Sequence, residues 1–70
     1  MLMTIIDARG LSCPQPVLMT MEALKAAPEV CQVLVDNATA KGNVTRYAQK
    51  AGYTVTVSED NGDYTLELKK

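Results

Sequence analysis

The chain has no histidine, no tryptophan and no phenylalanine, and each absence closes off a class of function. Without histidine there is no Cys–His nucleophile pair and no general base of the usual kind. The two cysteines, Cys13 and Cys31, stand alone rather than in a Cys/His cluster, which excludes a sequence-recognisable zinc site. Without Trp or Phe, the core has to be built from aliphatic residues, Met and three Tyr. An excess of either charge is lacking too. Seven Lys and Arg against eight Asp and Glu leave a net charge of −1, with the cations spread along the chain. Phosphate contacts need a basic patch, so no direct nucleic-acid partner is expected. The apolar runs are too short to span a bilayer and no signal-peptide pattern leads into the fold. A cytoplasmic protein without membrane contact is the expectation, and a reducing compartment disfavours a Cys13–Cys31 disulfide.

What is present is enough for a folded protein. Seventy residues allow one domain, spanning 1–70, with one modest core. Hydrophobic content of 47% with 21% charged residues is ordinary for a globular chain and argues against disorder.

Periodicity divides the chain into six elements. Met3 to Ile6 reads as a first strand, closed by a turn at Ala8-Arg9-Gly10. From Pro14 to about Ala27, Val17, Met21 and Leu24 recur at helical spacing, with Leu18 on the flank of the same buried stripe. Pro28 is expected to end that helix. Cys31 to Asp36 is a second, β-branched strand, on which Cys31 reads as a packed or edge side chain. A strand–helix–strand unit crosses over right-handed, so the two strands should pair in parallel. Ala40, Val44, Tyr47, Ala48 and Ala51 mark the buried stripe of a second helix. Gly52 is its expected C-terminal cap, and Asn37, Thr39 and Asn43 are all candidates at its start. Tyr53, Val55 and Val57 then alternate with Thr54, Thr56 and Ser58, and Tyr64, Leu66 and Leu68 alternate with Thr65, Glu67 and Lys69. Asp60-Asn61-Gly62-Asp63 between these runs is a hairpin signal. The order β-α-β-α-β-β predicts an α/β two-layer sandwich: a four-stranded mixed sheet with two helices on one face. Thr and charged side chains should line the open face.

The chemistry concentrates at Cys13. Pro14 and Pro16 follow it closely, and proline is tolerated only in the first turn of a helix. Cys13 is therefore expected at or beside the helix N-cap. There the helix dipole and the free N–H groups of Gln15 and Val17 would favour the nucleophilic thiolate. The competing reading is a small buried apolar side chain at a tight turn, the usual state of a free cysteine.

Asp7-x-Arg9-Gly10-Leu11-x-Cys13-Pro14-x-Pro16-Val17 resembles the signature of the TusA/SirA/YedF family of small sulfur-carrier-like proteins. Val35-Asp36-Asn37, Lys41-x-Asn43-Val44-x-Arg46-Tyr47-Ala48 and Gly52-Tyr53-x-Val55 look closest to the amino-terminal domain of YedF, the branch associated with selenium metabolism. The resemblance spans essentially the whole chain and has the same element order. It implies a persulfide carrier. Cys13 would accept a sulfane sulfur from a cysteine desulfurase-like donor and pass it to an acceptor protein. Pro14 and Pro16 would hold the loop-to-helix junction rigid, and Asp7, Arg9 and Gly10 would shape the approach to the thiol. No cofactor is called for. Thiol–disulfide-type exchange needs an accessible sulfur of low pKa and little else, so the general base can belong to the partner. On this reading the protein is a sulfurtransferase-like carrier rather than a self-sufficient catalyst.

Partner contacts are expected around the first helix, at Gln15, Met19 and Lys25, with Met19 turned to solvent opposite the buried stripe. Asp36 is a further candidate contact, or simply a carboxylate that caps the second helix. The alternative function is a non-catalytic binding or regulatory module, in which the Cys-Pro-x-Pro turn is only a docking surface. A disulfide switch using Cys13 and Cys31 is a third reading, with a spacing unlike Cys-x-x-Cys.

Overall fold

The structure, a computed structural model, describes residues 4–11 and 15–70. Six elements follow the expected order: β1 (Thr4–Asp7), α1 (Gln15–Leu24), β2 (Val30–Val35), α2 (Ala38–Lys50), β3 (Thr54–Asp60) and β4 (Asp63–Lys69). They form one four-stranded sheet in the order β1-β2-β4-β3. β1 runs parallel to β2, while β2–β4 and β4–β3 are antiparallel, so the sheet is mixed.

The strand register explains which side chains make the core. Ile6, Val33, Leu66 and Val57 form one row across the sheet, and Cys31, Leu68 and Val55 part of the next. The two helices cover this face. α2 contributes Ala40, Val44 and Ala48, small enough at successive turns to let the helix sit close to the strands. Burial fades toward β3 because it is the outer strand, and Val57 is exposed there. The opposite face carries Asp7, Gln32, Thr65, Glu67, Thr56 and Ser58, as the alternation required. Ile5, Leu34 and Val30 are apolar residues on this face, and Ile5 is the exposed one, at 60%.

Helix ends show where local chemistry decided the boundaries. Asn37 is the N-cap of α2: its backbone is extended and its side chain accepts a hydrogen bond from the Ala40 N–H at 2.7 Å. At the other end the N–H of Gly52 donates to the Gln49 carbonyl and that of Tyr53 to the Ala48 carbonyl. This paired closure needs a left-handed residue after the cap, and Gly52 supplies it at φ +94°. α1 is shorter than expected. It stops at Leu24, and the chain turns at Ala27, which sits at φ +52° and donates to the Leu24 carbonyl. Pro28 follows the turn rather than making it. In the hairpin, Asn61 and Gly62 both have positive φ, as the two-residue turn of the primed type demands.

Candidate functional site

The site grows from the carboxyl ends of the two parallel strands, where open α/β sheets commonly place their functional groups. Ala8 extends the pairing beyond β1, donating its N–H to the Leu34 carbonyl at 2.8 Å, and it is buried. The chain then rises out of the sheet through Arg9, Gly10 and Leu11. Gly10 stands at φ +79°, a conformation that L side chains rarely adopt. Its N–H donates to Asp36 Oδ2 at 2.7 Å, tying the loop to the residue that follows β2.

Arg9 makes the second attachment. Its Nε and Nη2 donate to the two carboxylate oxygens of Asp7, each at 2.9 Å, while its backbone N–H also donates to Asp7 Oδ1. The remaining arm, Nη1, reaches Asp63 Oδ2 at 3.3 Å. The Arg9 hydrogen bonds hold the Asp7 carboxyl well below the usual range, at about 2. In return, Asp7 first and Asp63 second strengthen the charge on the guanidinium. All three side chains are roughly half exposed, so the cluster orders the loop more than it stabilises the fold.

The structure thus brings Asp7, Arg9, Gly10 and Asp36 together, as a sequence motif and a distant carboxylate. Asp36 is engaged with the loop and with the Asn37 side-chain amide at 3.3 Å. Asp63 is a member that sequence reasoning missed. The hairpin signal marks it as the first residue of the last strand, but only the strand order sets that strand beside β2. Cys13 and Pro14 lie outside the described residues. In sequence they join Leu11 to Gln15, the first residue of α1.

On α1 the helix is rotated by somewhat less than one residue step from the expected phase. Pro16, Thr20 and Leu24 face inward, and Val17 and Met21 sit on the flank. Thr20 can be buried because its Oγ1 donates to the Pro16 carbonyl at 2.9 Å, leaving only an aliphatic surface to pack. Two expectations are corrected by this phase. Met19 is not solvent-facing: it is partly buried and packs against the core. Leu18, expected on the flank of the buried stripe, is 45% exposed and takes the outward place. Gln15, Leu18, Glu22 and Lys25 form the exposed face, with Lys25 Nζ held by Glu22 at 3.0 Å. Pro16 is a fully buried side chain, so it fills core volume in addition to any part in stiffening the junction.

The second cysteine is of another kind. Cys31 is a free thiol on β2, a strand with neighbours on both sides, and it has no solvent exposure. Burial pushes its pKa up, which keeps it a neutral, packed group. Among the described residues no group of three or more metal-ligating side chains occurs, and no helix is long and apolar enough to cross a membrane.

A β-α-β-α-β-β sheet with this loop at its carboxyl end has known counterparts. The family model described as Sulfurtransferase TusA matches residues 4–70. The chain belongs to the TusA family. Relatives include a Bacillus subtilis protein named "Putative sulfur carrier protein YrkI", 34% identical over 62 residues, covering 84% of this chain and 81% of that protein. A Methanocaldococcus jannaschii protein named "Putative sulfur carrier protein MJ0990" is 38% identical over 68 residues, covering 93% of this chain and 91% of its own. In three dimensions, the crystal structure of a SirA-like protein from Desulfitobacterium hafniense superposes with a TM-score of 0.85. That protein is 33% identical, with 97% of this chain and 96% of the other aligned. These similarities assign the chain to the TusA/SirA family as a whole.

Proposed function

We propose that this protein is a sulfur carrier that loads a sulfane sulfur on Cys13 as a persulfide and hands it to an acceptor protein. One observation carries the assignment to Cys13. A carrier has to present its sulfur to partners, and of the two thiols Cys31 is sealed inside the sheet–helix core. The duty falls to the thiol that follows the anchored loop. Membership of the TusA family and relatives named as putative sulfur carriers support the same reading.

The chemistry is an exchange without net oxidation. The Cys13 thiolate attacks the terminal sulfur of a persulfide on the donor's cysteine. A new S–S bond forms on Cys13, the donor's S–S bond breaks, and the electron pair leaves with the donor thiolate. Delivery repeats the exchange with Cys13 as the leaving thiolate. The chain has no histidine, so proton transfers belong to the partners, a cysteine desulfurase-like donor and an acceptor enzyme. Asp7, Arg9, Gly10 and Asp36 fix the approach to Cys13, with Pro14 and Pro16 at the junction. The exposed α1 face, Gln15, Leu18 and Lys25, is where a partner reaches over the loop.

The test is mass spectrometry after incubation with a cysteine desulfurase and cysteine. A gain of one sulfur atom that Cys13→Ser abolishes and Cys31→Ala retains supports the carrier. No gain on the wild-type chain rejects it and favours a plain binding module, while a gain that survives Cys13→Ser rejects Cys13 as the carrying atom. Selenocysteine in place of cysteine puts the YedF-like selenium link to the same assay.

A further inference from the structure

We propose that Asp63 is a positioning residue for the Cys13 loop and acts through Arg9, an inference that rests on the carrier reading above. Asp7 ends β1, Asp36 follows β2 and Asp63 begins β4. In the sheet β2 lies between β1 and β4, so these three carboxylates stand at neighbouring strand ends on one edge of the molecule. Together they hold two consecutive loop residues. Asp36 takes the Gly10 N–H, and Asp7 and Asp63 share the Arg9 guanidinium.

The division of labour follows from reach. Asp7 is two residues from Arg9 and moves with the same strand, so by itself it restrains Arg9 only locally. Asp63 is fifty-four residues away and belongs to the β3–β4 hairpin. Its contact makes the guanidinium a bridge across the end of β2 and fixes where the loop can lie relative to the sheet. Asp63 touches neither sulfur nor donor in this role. It sets the direction from which the chain enters the segment that carries Cys13.

Because the bridge is half exposed, its effect on global stability is small while its effect on loop geometry is direct. Two rates read it: alkylation of Cys13 by iodoacetamide, which needs no partner, and sulfur loading by the desulfurase. Asp63→Ala should slow both by about two- to fivefold, the range an exposed ion pair can move an equilibrium. Asp63→Glu, which restores a carboxylate to the Arg9 arm, should recover most of the loss. In an Arg9→Met background, Asp63→Ala should add nothing, because the two act as a unit. Asp60→Asn, in the same hairpin, should leave both rates unchanged.

Alkylation at the wild-type rate in Asp63→Ala overturns the proposal. So does an Asp63 effect that persists in the Arg9→Met background: on loading alone it would mean direct contact with a partner, and on alkylation an action that does not run through Arg9. If the wild-type chain takes up no sulfur, the carrier reading fails by itself, and the alkylation cycle still decides the role of Asp63.

Discussion

The backbone N–H of Gly10 donates to the carboxylate of Asp36 at 2.7 Å across twenty-six positions of sequence. The bond joins the loop after one parallel strand to the end of its neighbour, and it requires Gly10 at φ +79°. Among the described residues, nothing beyond the two chain neighbours lies within 4 Å of where a Cβ would sit, so the cost of an alanine there is the backbone penalty. Gly10→Ala should therefore cost about 1 kcal/mol, equivalent to roughly 4–8 °C in melting temperature for a domain this size. Thermal unfolding followed by circular dichroism checks this. An unchanged melting temperature would show that the loop tolerates another conformation.

Acid should loosen the Asp7–Arg9 pair in a defined window. Asp7 in the folded protein titrates at about 2, below the ordinary carboxylate value near 4, because Arg9 donates to its charged form. Between those values the unfolded chain binds more protons than the folded one. The contribution of the pair is thus complete above about pH 4 and disappears as pH falls toward 2. Wild type should be more stable than Asp7→Asn at neutral pH, and the gap should close through that window. A gap of constant size down to about pH 2 would contradict the linkage.

The two thiols should differ sharply in reactivity. Cys31 has no exposure and burial raises its pKa, so its modification has to wait for opening of the core. Iodoacetamide on native protein should label Cys13 and spare Cys31, and both should react in denaturant. Peptide mapping of the labelled chain reads the outcome. Native labelling of Cys31 at the rate of Cys13 would remove the argument that assigns sulfur transfer to Cys13.

The outward and inward faces of α1 predict a reversal of what the sequence suggests. Leu18 is exposed, so Leu18→Glu should change stability by less than about 0.5 kcal/mol while slowing desulfurase-dependent loading. Met19 packs against the core, so Met19→Glu should cost about 1–3 kcal/mol by burying a charge in part. Melting temperature and loading rate, measured on both variants, separate the roles. Equal melting temperatures for the two would show that Met19 is ordinary surface.

Much of the fold is written in local patterns. Alternation over Tyr53–Val57 and Tyr64–Leu68 gives two strands, and Asn61-Gly62 gives their turn because both positions need positive φ. Gly52 marks the end of α2 for the same reason. The Asp7-x-Arg9-Gly10 motif before Cys13 stands out in the sequence through its resemblance to the TusA/SirA/YedF signature, whereas the pairing of Asp7 with Arg9 is a finding of the structure. The phase of α1 was not legible. Thr20 counts as polar in any pattern of hydrophobicity, yet its hydroxyl bonds to the carbonyl one turn back and lets the rest pack as an apolar group. Asp36 and Asp63 are the further case. Their carboxylates become part of the site only when β2 is placed between β1 and β4, and that placement comes from long-range strand pairing. Sequence by itself determines which segments bend, alternate or cap, since those depend on neighbours along the chain. Which distant carboxylates meet Arg9 and Gly10 depends on neighbours in space, and the tertiary structure alone decides it.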